Sequence, residues 1–196
     1  MKKIFLRVYL AILRAYLSIY YDKKYLVGRL FDKRHYSLGY KRAKQYLRMQ
    51  KKGINNNVPW PCNPTSVILF PENIDFDIDY MDNFFNNGCY FQAYGKIHIG
   101  KRTLIAQNVG IITSNHDLLN IDNHVQPKDV FIGDDCWVGM NSVILPGVVL
   151  GDHTIVGAGS VVSKSFPDGN CVIAGSPAKI IRLIEAKNAY ENSHKQ

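Results

Sequence analysis

Aliphatic residues recur at every sixth position in the second half of the chain. The first run is Ile99, Ile105 and Ile111, and the second run is Ile132, Val138, Ile144, Leu150, Val156 and Val162. A small residue usually follows the aliphatic one, as at Gly133 and Gly139. A period of six fits neither a helix nor simple strand alternation, and it marks a parallel β-helix in which each hexapeptide forms a strand and a corner. We therefore predict a mainly β fold, with a parallel β-helix over residues 97–184.

The repeat is interrupted once. Ile111 and Ile132 are 21 residues apart, which is not a multiple of six. The chain must therefore leave the coil and return to it, so we predict a loop over residues 113–129. Loops on a rigid scaffold often carry function, and this one contains His116 and His124.

The N-terminal third has a different pattern. Residues 1–21 are apolar apart from a few cations, and Arg7 and Arg14 fall on one face of a helix whose opposite face is apolar and aromatic. The two arginines exclude a membrane-spanning helix. We predict a basic amphipathic helical arm over residues 1–53. It either packs on the body or a neighbouring subunit, or lies in a membrane interface.

The charge of the chain is divided in the same place. Residues 1–53 contain fifteen Lys or Arg and two acidic residues, whereas residues 54–196 contain nine Lys or Arg and fourteen acidic residues. A basic segment of this kind contacts anionic surfaces or ligands, and we expect no nucleic-acid partner. Residues 54–96 are interpreted as short strands and turns leading into the coil, and residues 185–196 as a short polar C-terminal tail.

The four cysteines lie far apart and include no CxxC pair, so neither a zinc cluster nor a disulfide framework is indicated. We expect a cytoplasmic location, with residues 1–53 as a candidate peripheral contact with the inner membrane face. No metal is expected. A zinc site built from His98, His116 and His124 has the wrong ligand spacing. Cys136 occupies a compact repeat position, which argues against an acyl-cysteine mechanism.

Residues 104–117 and 132–184 resemble the hexapeptide-repeat O-acetyltransferases. The resemblance combines the repeats with a loop histidine in an N-H-D sequence, a W-V-G turn, G-A-G-S-V-V-S-K and A-G-S-P-A-K. It implies a left-handed coil, a homotrimer with active sites between subunits, and acetyl-CoA as cosubstrate.

The resemblance also implies roles for individual residues. His116 matches the catalytic base. The positions that match cofactor-binding residues are Trp137, Met140, Ala158, Ser163, Lys164, Lys179 and Arg182. The acceptor-binding Asn and Asp of the sugar-specific members have no convincing counterpart here. We name Tyr90, Gln92 and Tyr94, together with Asn115 and Asp117 beside the base, as candidate acceptor-binding residues.

The chemistry of acyl transfer agrees with this reading. An alcohol is a weak nucleophile near neutral pH, so a base must remove its proton during attack on the thioester. Imidazole, with an unperturbed pKa of about 6.5, accepts and then returns such a proton. We predict an acetyl-CoA-dependent O-acetyltransferase acting on the hydroxyl of a sugar, a surface polysaccharide or a lipid-linked saccharide. The alternatives are a sugar N-acetyltransferase, an antibiotic or serine acetyltransferase, and a non-catalytic trimeric scaffold.

Overall fold

The computed structural model describes residues 2–32 and 36–185. Two helices come first, α1 (Lys2–Leu17) and α2 (Tyr36–Lys52). Fourteen short strands follow: β1 (Val67–Leu69), β2 (Ile74–Phe76), β3 (Tyr90–Gln92), β4 (Ile97–Ile99), β5 (Leu104–Ile105), β6 (Gly110–Ile112), β7 (Val130–Ile132), β8 (Trp137–Val138), β9 (Val143–Ile144), β10 (Val149–Leu150), β11 (Thr154–Val156), β12 (Val161–Val162), β13 (Cys171–Gly175) and β14 (Ala178–Leu183).

The strands form three sheets that the chain visits in turn. Sheet A has the order β1-β3-β6-β9-β12, sheet B has β2-β4-β7-β10, and sheet C has β5-β8-β11-β13-β14. Neighbouring strands are parallel except for β13 and β14, which form an antiparallel hairpin. The predicted parallel β-helix is confirmed in this three-sided form, and its left-handed winding stays a prediction.

The period-six aliphatic residues build the core in columns. Ile144 pairs with both Ile111 and Val162 in sheet A, and Val138 pairs with both Ile105 and Val156 in sheet C. All nine predicted positions are at most 2% exposed. Each aliphatic side chain stacks on its counterpart in the next coil, so the coils bury a surface that no single coil could bury.

The corners between strands are tight, which explains the small residues there. A Cβ atom added to Gly139 would lie 2.7 Å from the backbone nitrogen of Ala158 in the next coil. Such a distance is too short for any side chain, so the stacking of the coils requires glycine at this corner.

Pairing in the coil begins at β1, inside the range that we interpreted as leading strands and turns. Ile68 pairs with Phe91, and Phe91 pairs with Ile111, so these residues extend the inner column of sheet A. The spacing from Ile68 to Phe91 is irregular because the 3-10 segment Ile78–Phe85 occupies the place of a third strand. Irregular corners remove the period of six, although the inward packing is the same.

The basic N-terminal region does not stand away from the body as an arm. Leu17, Tyr21 and Leu30 are buried and belong to the same core cluster as the coil, together with Trp60. The buried Gln50 side chain connects α2 to the segment before β1, because its Nε2 donates to the carbonyl oxygens of Val58 (3.1 Å) and Trp60 (2.9 Å). Residues 33–35 of the predicted arm lie outside the described residues.

Within residues 2–32 and 36–185, neither helix has the length and apolar character that crossing a bilayer requires. The predicted polar tail lies outside the described residues from residue 186 onward.

Candidate active site

The predicted loop at 113–129 leaves the coil between β6 of sheet A and β7 of sheet B. Its two arms are held together by backbone hydrogen bonds. The Lys128 N–H donates to the Thr113 carbonyl (2.7 Å), and the Val125 N–H donates to the Asn115 carbonyl (3.0 Å). The loop is therefore a hydrogen-bonded projection at one corner of the coil, and its sequence places His116 on that projection.

A backbone carbonyl orients the His116 ring. Its Nδ1 atom lies 2.6 Å from the carbonyl oxygen of Ile121. A carbonyl oxygen can only accept a hydrogen bond, so Nδ1 carries the proton and donates it. In the neutral ring, Nε2 then keeps a free lone pair, which is the form that a general base requires.

Aromatic rings line up beside this histidine. The His124 ring is tilted by 34° against the His116 ring with centroids 4.3 Å apart, and the Tyr94 ring lies 5.1 Å from that of His124. Phe70 extends the row, 4.8 Å from Tyr94. The His124 ring thus lies between Tyr94 and the candidate base, and the role of Tyr94 at the acceptor stays a prediction. Phe70 and His124 were not among the predicted site residues, because neither falls in a repeat or a matching motif.

Asp117 has a structural partner rather than a catalytic one. Its Oδ1 atom accepts hydrogen bonds from the backbone N–H groups of Leu119 (2.7 Å) and Asn120 (3.1 Å), which closes the turn after His116. The Nδ1 atom of His116 is bonded to Ile121 instead, so these residues form no Asp–His dyad. Asn115 is exposed, and its carbonyl holds the loop together.

The two remaining acceptor candidates lie on β3. The Oε1 atom of Gln92 accepts from the backbone N–H of Ser114 (3.1 Å), so this side chain supports the start of the loop. Tyr90 is half-buried and alternates with the buried Phe91, which puts Tyr90 and Gln92 on the outer side of sheet A.

The predicted cofactor residues of sheet C share one outward row. Trp137, which is 51% exposed, is in register with Leu104 on one side and Ile155 on the other. Ile155 is in register with Val172, which pairs with Arg182 on β14. The indole and the guanidinium therefore lie on the same face of the coil.

Met140 and Ala158 meet at the corner that follows sheet C. The Gly159 N–H donates to the Met140 carbonyl (2.8 Å), so the two exposed side chains lie in successive coils. Lys179 is exposed on β14, beside the row that contains Trp137.

Ser163 and Lys164 are exposed at the corner between sheets A and B, the corner from which loop 113–129 projects. Sheet C lies opposite that corner in a three-sided coil. One chain therefore brings His116 near the side of Ser163 and Lys164, and it does not bring His116 to Trp137, Met140, Ala158 or Arg182.

The three histidines considered as zinc ligands do not converge. His98 lies on sheet B, where its Nδ1 atom is 2.8 Å from Asp75 Oδ2 and its ring stacks on Phe131. His116 and His124 are together in the loop. In the part of the chain that the structure describes, no group of three or more His, Cys, Asp or Glu side chains could hold a metal ion.

Comparison with known proteins identifies the family. A family model described as "Bacterial transferase hexapeptide (six repeats)" matches residues 129–164. The Saccharomyces cerevisiae protein named "Putative acetyltransferase YJL218W" is 34% identical over 142 residues, which cover 69% of this chain and 71% of that protein. The chain belongs to the hexapeptide-repeat acetyltransferase family. The resemblance predicted from the repeats and the loop histidine is confirmed.

One further relative and one solved structure have names that refer to a galactoside. The galactoside O-acetyltransferase of Escherichia coli is 36% identical over 97 residues, which cover 48% of this chain and 47% of that protein. This chain thus spans about half the length of that relative. A solved structure of galactoside acetyltransferase in complex with coenzyme A is 24% identical and covers 92% of this chain and 84% of its own, with a TM-score of 0.58. That structure shares the fold.

Proposed function

We propose that this protein transfers an acetyl group from acetyl-CoA to a hydroxyl group of a sugar or surface polysaccharide, with His116 as the general base. One observation carries the proposal: the hydrogen bond from His116 Nδ1 to the Ile121 carbonyl leaves Nε2 as the basic nitrogen. A loop histidine with no such partner would have no fixed tautomer and no fixed direction.

The proposed reaction is a direct transfer. His116 Nε2 takes the proton of the acceptor hydroxyl while the hydroxyl oxygen attacks the thioester carbonyl carbon. The carbon–sulfur bond then breaks, and the CoA thiolate takes the proton from the imidazolium. The histidine ends the cycle neutral, in the tautomer in which it began.

A cysteine nucleophile is disfavoured by the environment of the thiols. Cys62, Cys89, Cys136 and Cys171 are all buried. Burial raises the pKa of Cys62 to about 12 and that of Cys136 to about 11. Such thiols hold their protons near neutral pH and make poor nucleophiles. Their unpaired state also supports the proposed cytoplasmic location.

The proposal includes a homotrimer, because the candidate base and sheet C lie on opposite sides of one chain. In an assembly, loop 113–129 of one subunit would face the Trp137 and Arg182 row of its neighbour. Leu118 and Leu119 at the loop tip are 100% and 99% exposed, which supports a neighbouring surface that covers them. Acetyl-CoA would lie in that groove, with Arg182 and Lys179 as charge partners for its phosphates.

The acceptor site would adjoin the aromatic row of Phe70, Tyr94 and His124. Aromatic side chains with a few polar groups are typical of small-molecule sites, and the exposed edge of Tyr94 offers both. The name of the Escherichia coli relative, a galactoside O-acetyltransferase, supports a sugar hydroxyl as the acceptor.

The test is release of free CoA thiol from acetyl-CoA with a panel of sugars, oligosaccharides, amino sugars and serine. We expect turnover with a sugar hydroxyl, and a loss of roughly 10²- to 10⁴-fold in kcat for His116→Asn. His153→Asn is the matched control. His153 lies in an exposed turn 3.8 Å from Asp135, far from loop 113–129 in the chain, and this variant should keep wild-type kcat.

Two results would overturn the proposal. Equal turnover by His116→Asn and wild type would remove the role of the base. Calorimetric binding of acetyl-CoA without turnover on any hydroxyl would remove the O-acetyltransferase assignment.

A further inference from the structure

Helix α1 packs on the body through a face of leucines. Leu6, Leu10, Leu13 and Leu17 recur at spacings of three and four residues, so they lie along one side of the helix. Leu17 is fully buried, and Leu10 and Leu13 pack against the core cluster. This leucine face explains how α1 is held, and it turns the opposite side of the helix outward.

The outward side of α1 is also apolar. Val8, Ile12 and Tyr16 recur every four residues, and Phe5 and Tyr9 lie beside them. These five side chains are between 45% and 83% exposed. A contiguous exposed apolar surface of this kind marks an interaction site, because single scattered apolar residues would be ordinary but an aligned strip is not.

Cationic side chains of α2 border this apolar strip on the side of Tyr9. A groove of about 570 Å³ between the two helices is lined by Tyr9 of the strip and by Lys41 and Lys44 of α2. Arg7 and Arg14 lie on the opposite face of α1, where they line a separate groove of about 580 Å³. Among the described residues that line the first groove, none is acidic. The positive charge of the two lysines is therefore not neutralised by carboxylates in that groove.

We propose that α1 binds the surface of an anionic phospholipid bilayer. The outward apolar side chains enter the boundary between headgroups and acyl chains, and the flanking cations contact the lipid phosphates. Apolar insertion and headgroup attraction act on the same face, which is the combination that interfacial helices use. This surface acts independently of the chemistry at His116.

Charge selects the lipid surface over a second copy of the chain. If two copies met through α1, the lysines beside each strip would add like charge to the same contact, and such contacts are unfavourable. A bilayer that contains anionic lipid offers the opposite charge at the same depth as the cations.

The experiment is sedimentation of the full chain with vesicles of phosphatidylcholine alone and of phosphatidylcholine containing about 30% phosphatidylglycerol, a composition that gives a negative surface potential. We expect binding to the anionic vesicles, weak binding to the neutral ones, and a decline as salt is raised. Equal binding to both compositions, or to neither, would overturn the proposal.

Two double variants separate the two contributions. Lys41→Gln/Lys44→Gln should weaken binding roughly thirtyfold, since each cation near the surface contributes about 1 kcal/mol. Val8→Gln/Ile12→Gln should weaken it about tenfold, because the inserted apolar surface is lost. Glutamine keeps good helix propensity, and circular dichroism checks that α1 persists.

The matched controls are Lys101→Gln and Ile54→Gln. Both side chains are exposed and lie outside α1, so both variants should bind as wild type does. The proposal fails if the two double variants bind normally or if the controls lose as much binding. It also fails if sedimentation equilibrium shows that Val8→Gln/Ile12→Gln reduces the number of subunits, because the strip would then be a contact between copies.

Discussion

The coil and loop 113–129 both contain aliphatic residues, but these residues are buried in the coil and exposed at the tip of the loop. The nine period-six residues of the coil are at most 2% exposed, whereas Leu118 and Leu119 of the loop are almost fully exposed. The difference lies in their neighbours, because each coil residue has a counterpart in the next coil, whereas Leu118 and Leu119 have none among the residues that the structure describes. In this molecule the repeated aliphatic residues form the core, and the candidate base lies in the loop that interrupts the repeat.

Removing one side chain from an inner column should produce the largest change in stability. Ile144 lies between Ile111 and Val162 in sheet A. Ile144→Ala leaves a cavity in a stacked column, and we expect a loss of about 2–5 kcal/mol in the free energy of unfolding, measured in urea. Ile121→Ala removes a similar apolar side chain that is 73% exposed in the loop, and it should change stability by less than about 0.5 kcal/mol. Similar losses in both variants would contradict the contrast between coil and loop.

The outer surface of the coil should affect the cosubstrate, and the loop should affect the chemical step. Arg182 is a proposed charge partner for a phosphate of acetyl-CoA, and Arg182→Gln removes its charge. A hydrogen bond to a charged group contributes about 1.5–3 kcal/mol. We expect KM for acetyl-CoA to rise roughly tenfold or more with little change in kcat. Lys101→Gln, an exposed cation elsewhere on the coil, is the control. A fall in kcat with unchanged KM would show that Arg182 belongs with the base and not with cosubstrate binding.

A smaller effect is expected where a side chain acts through the shape of the loop. Asp117 closes the turn after His116 through two backbone N–H groups. Asp117→Ala should lower kcat about tenfold, because losing a hydrogen bond costs on the order of 1 kcal/mol and misplaces the base. Asp117→Asn keeps an acceptor oxygen and should retain most of the activity. An equal loss in both variants would instead assign a role to the carboxylate charge.

The four buried cysteines should be protected from alkylating reagents in the folded chain. The raised pKa values of Cys62 and Cys136, with burial as the main cause, keep these thiols protonated and covered. With iodoacetamide at about pH 8, below both of those pKa values, we expect no labelling of the folded chain and labelling of all four cysteines in denaturant, measured by mass spectrometry. Rapid labelling of Cys136 in the folded chain would show that the coil opens locally.

The sequence predicted the coil well where its corners are uniform. The period of six identified nine positions from Ile99 to Val162, and all nine are buried. It missed the earlier coils because the Ile68–Phe91 stretch has irregular corners, and irregular spacing carries no period. For the basic N-terminal region the pattern left two arrangements open, packing on the body or contact with a lipid surface, and the structure shows Leu10, Leu13 and Leu17 packed on the body.

The candidate site shows a similar division. The family resemblance indicated His116, but no pattern could indicate the carbonyl of Ile121 as its partner, because every residue has a carbonyl. Asp117 and Gln92 were predicted to contact the acceptor, which stays a prediction, and the structure shows that both of them accept hydrogen bonds from the loop backbone. Side-chain type suggests chemistry, whereas the choice of partner depends on how the loop folds.

Because the coils stack in register, the length of the β-helix can change only in steps of one complete turn. Ile132 and Leu150 are paired and lie 18 residues apart, so one complete turn of three sides uses 18 residues and advances the strand pairing by about 4.8 Å. Duplicating one such unit would lengthen the Trp137 and Arg182 row by one strand spacing, while every side chain kept its inward or outward direction. Adding six or twelve residues would instead rotate all later positions onto a different sheet. The Trp137 and Arg182 row can therefore change its length only in whole turns, while the length of loop 113–129 can vary residue by residue.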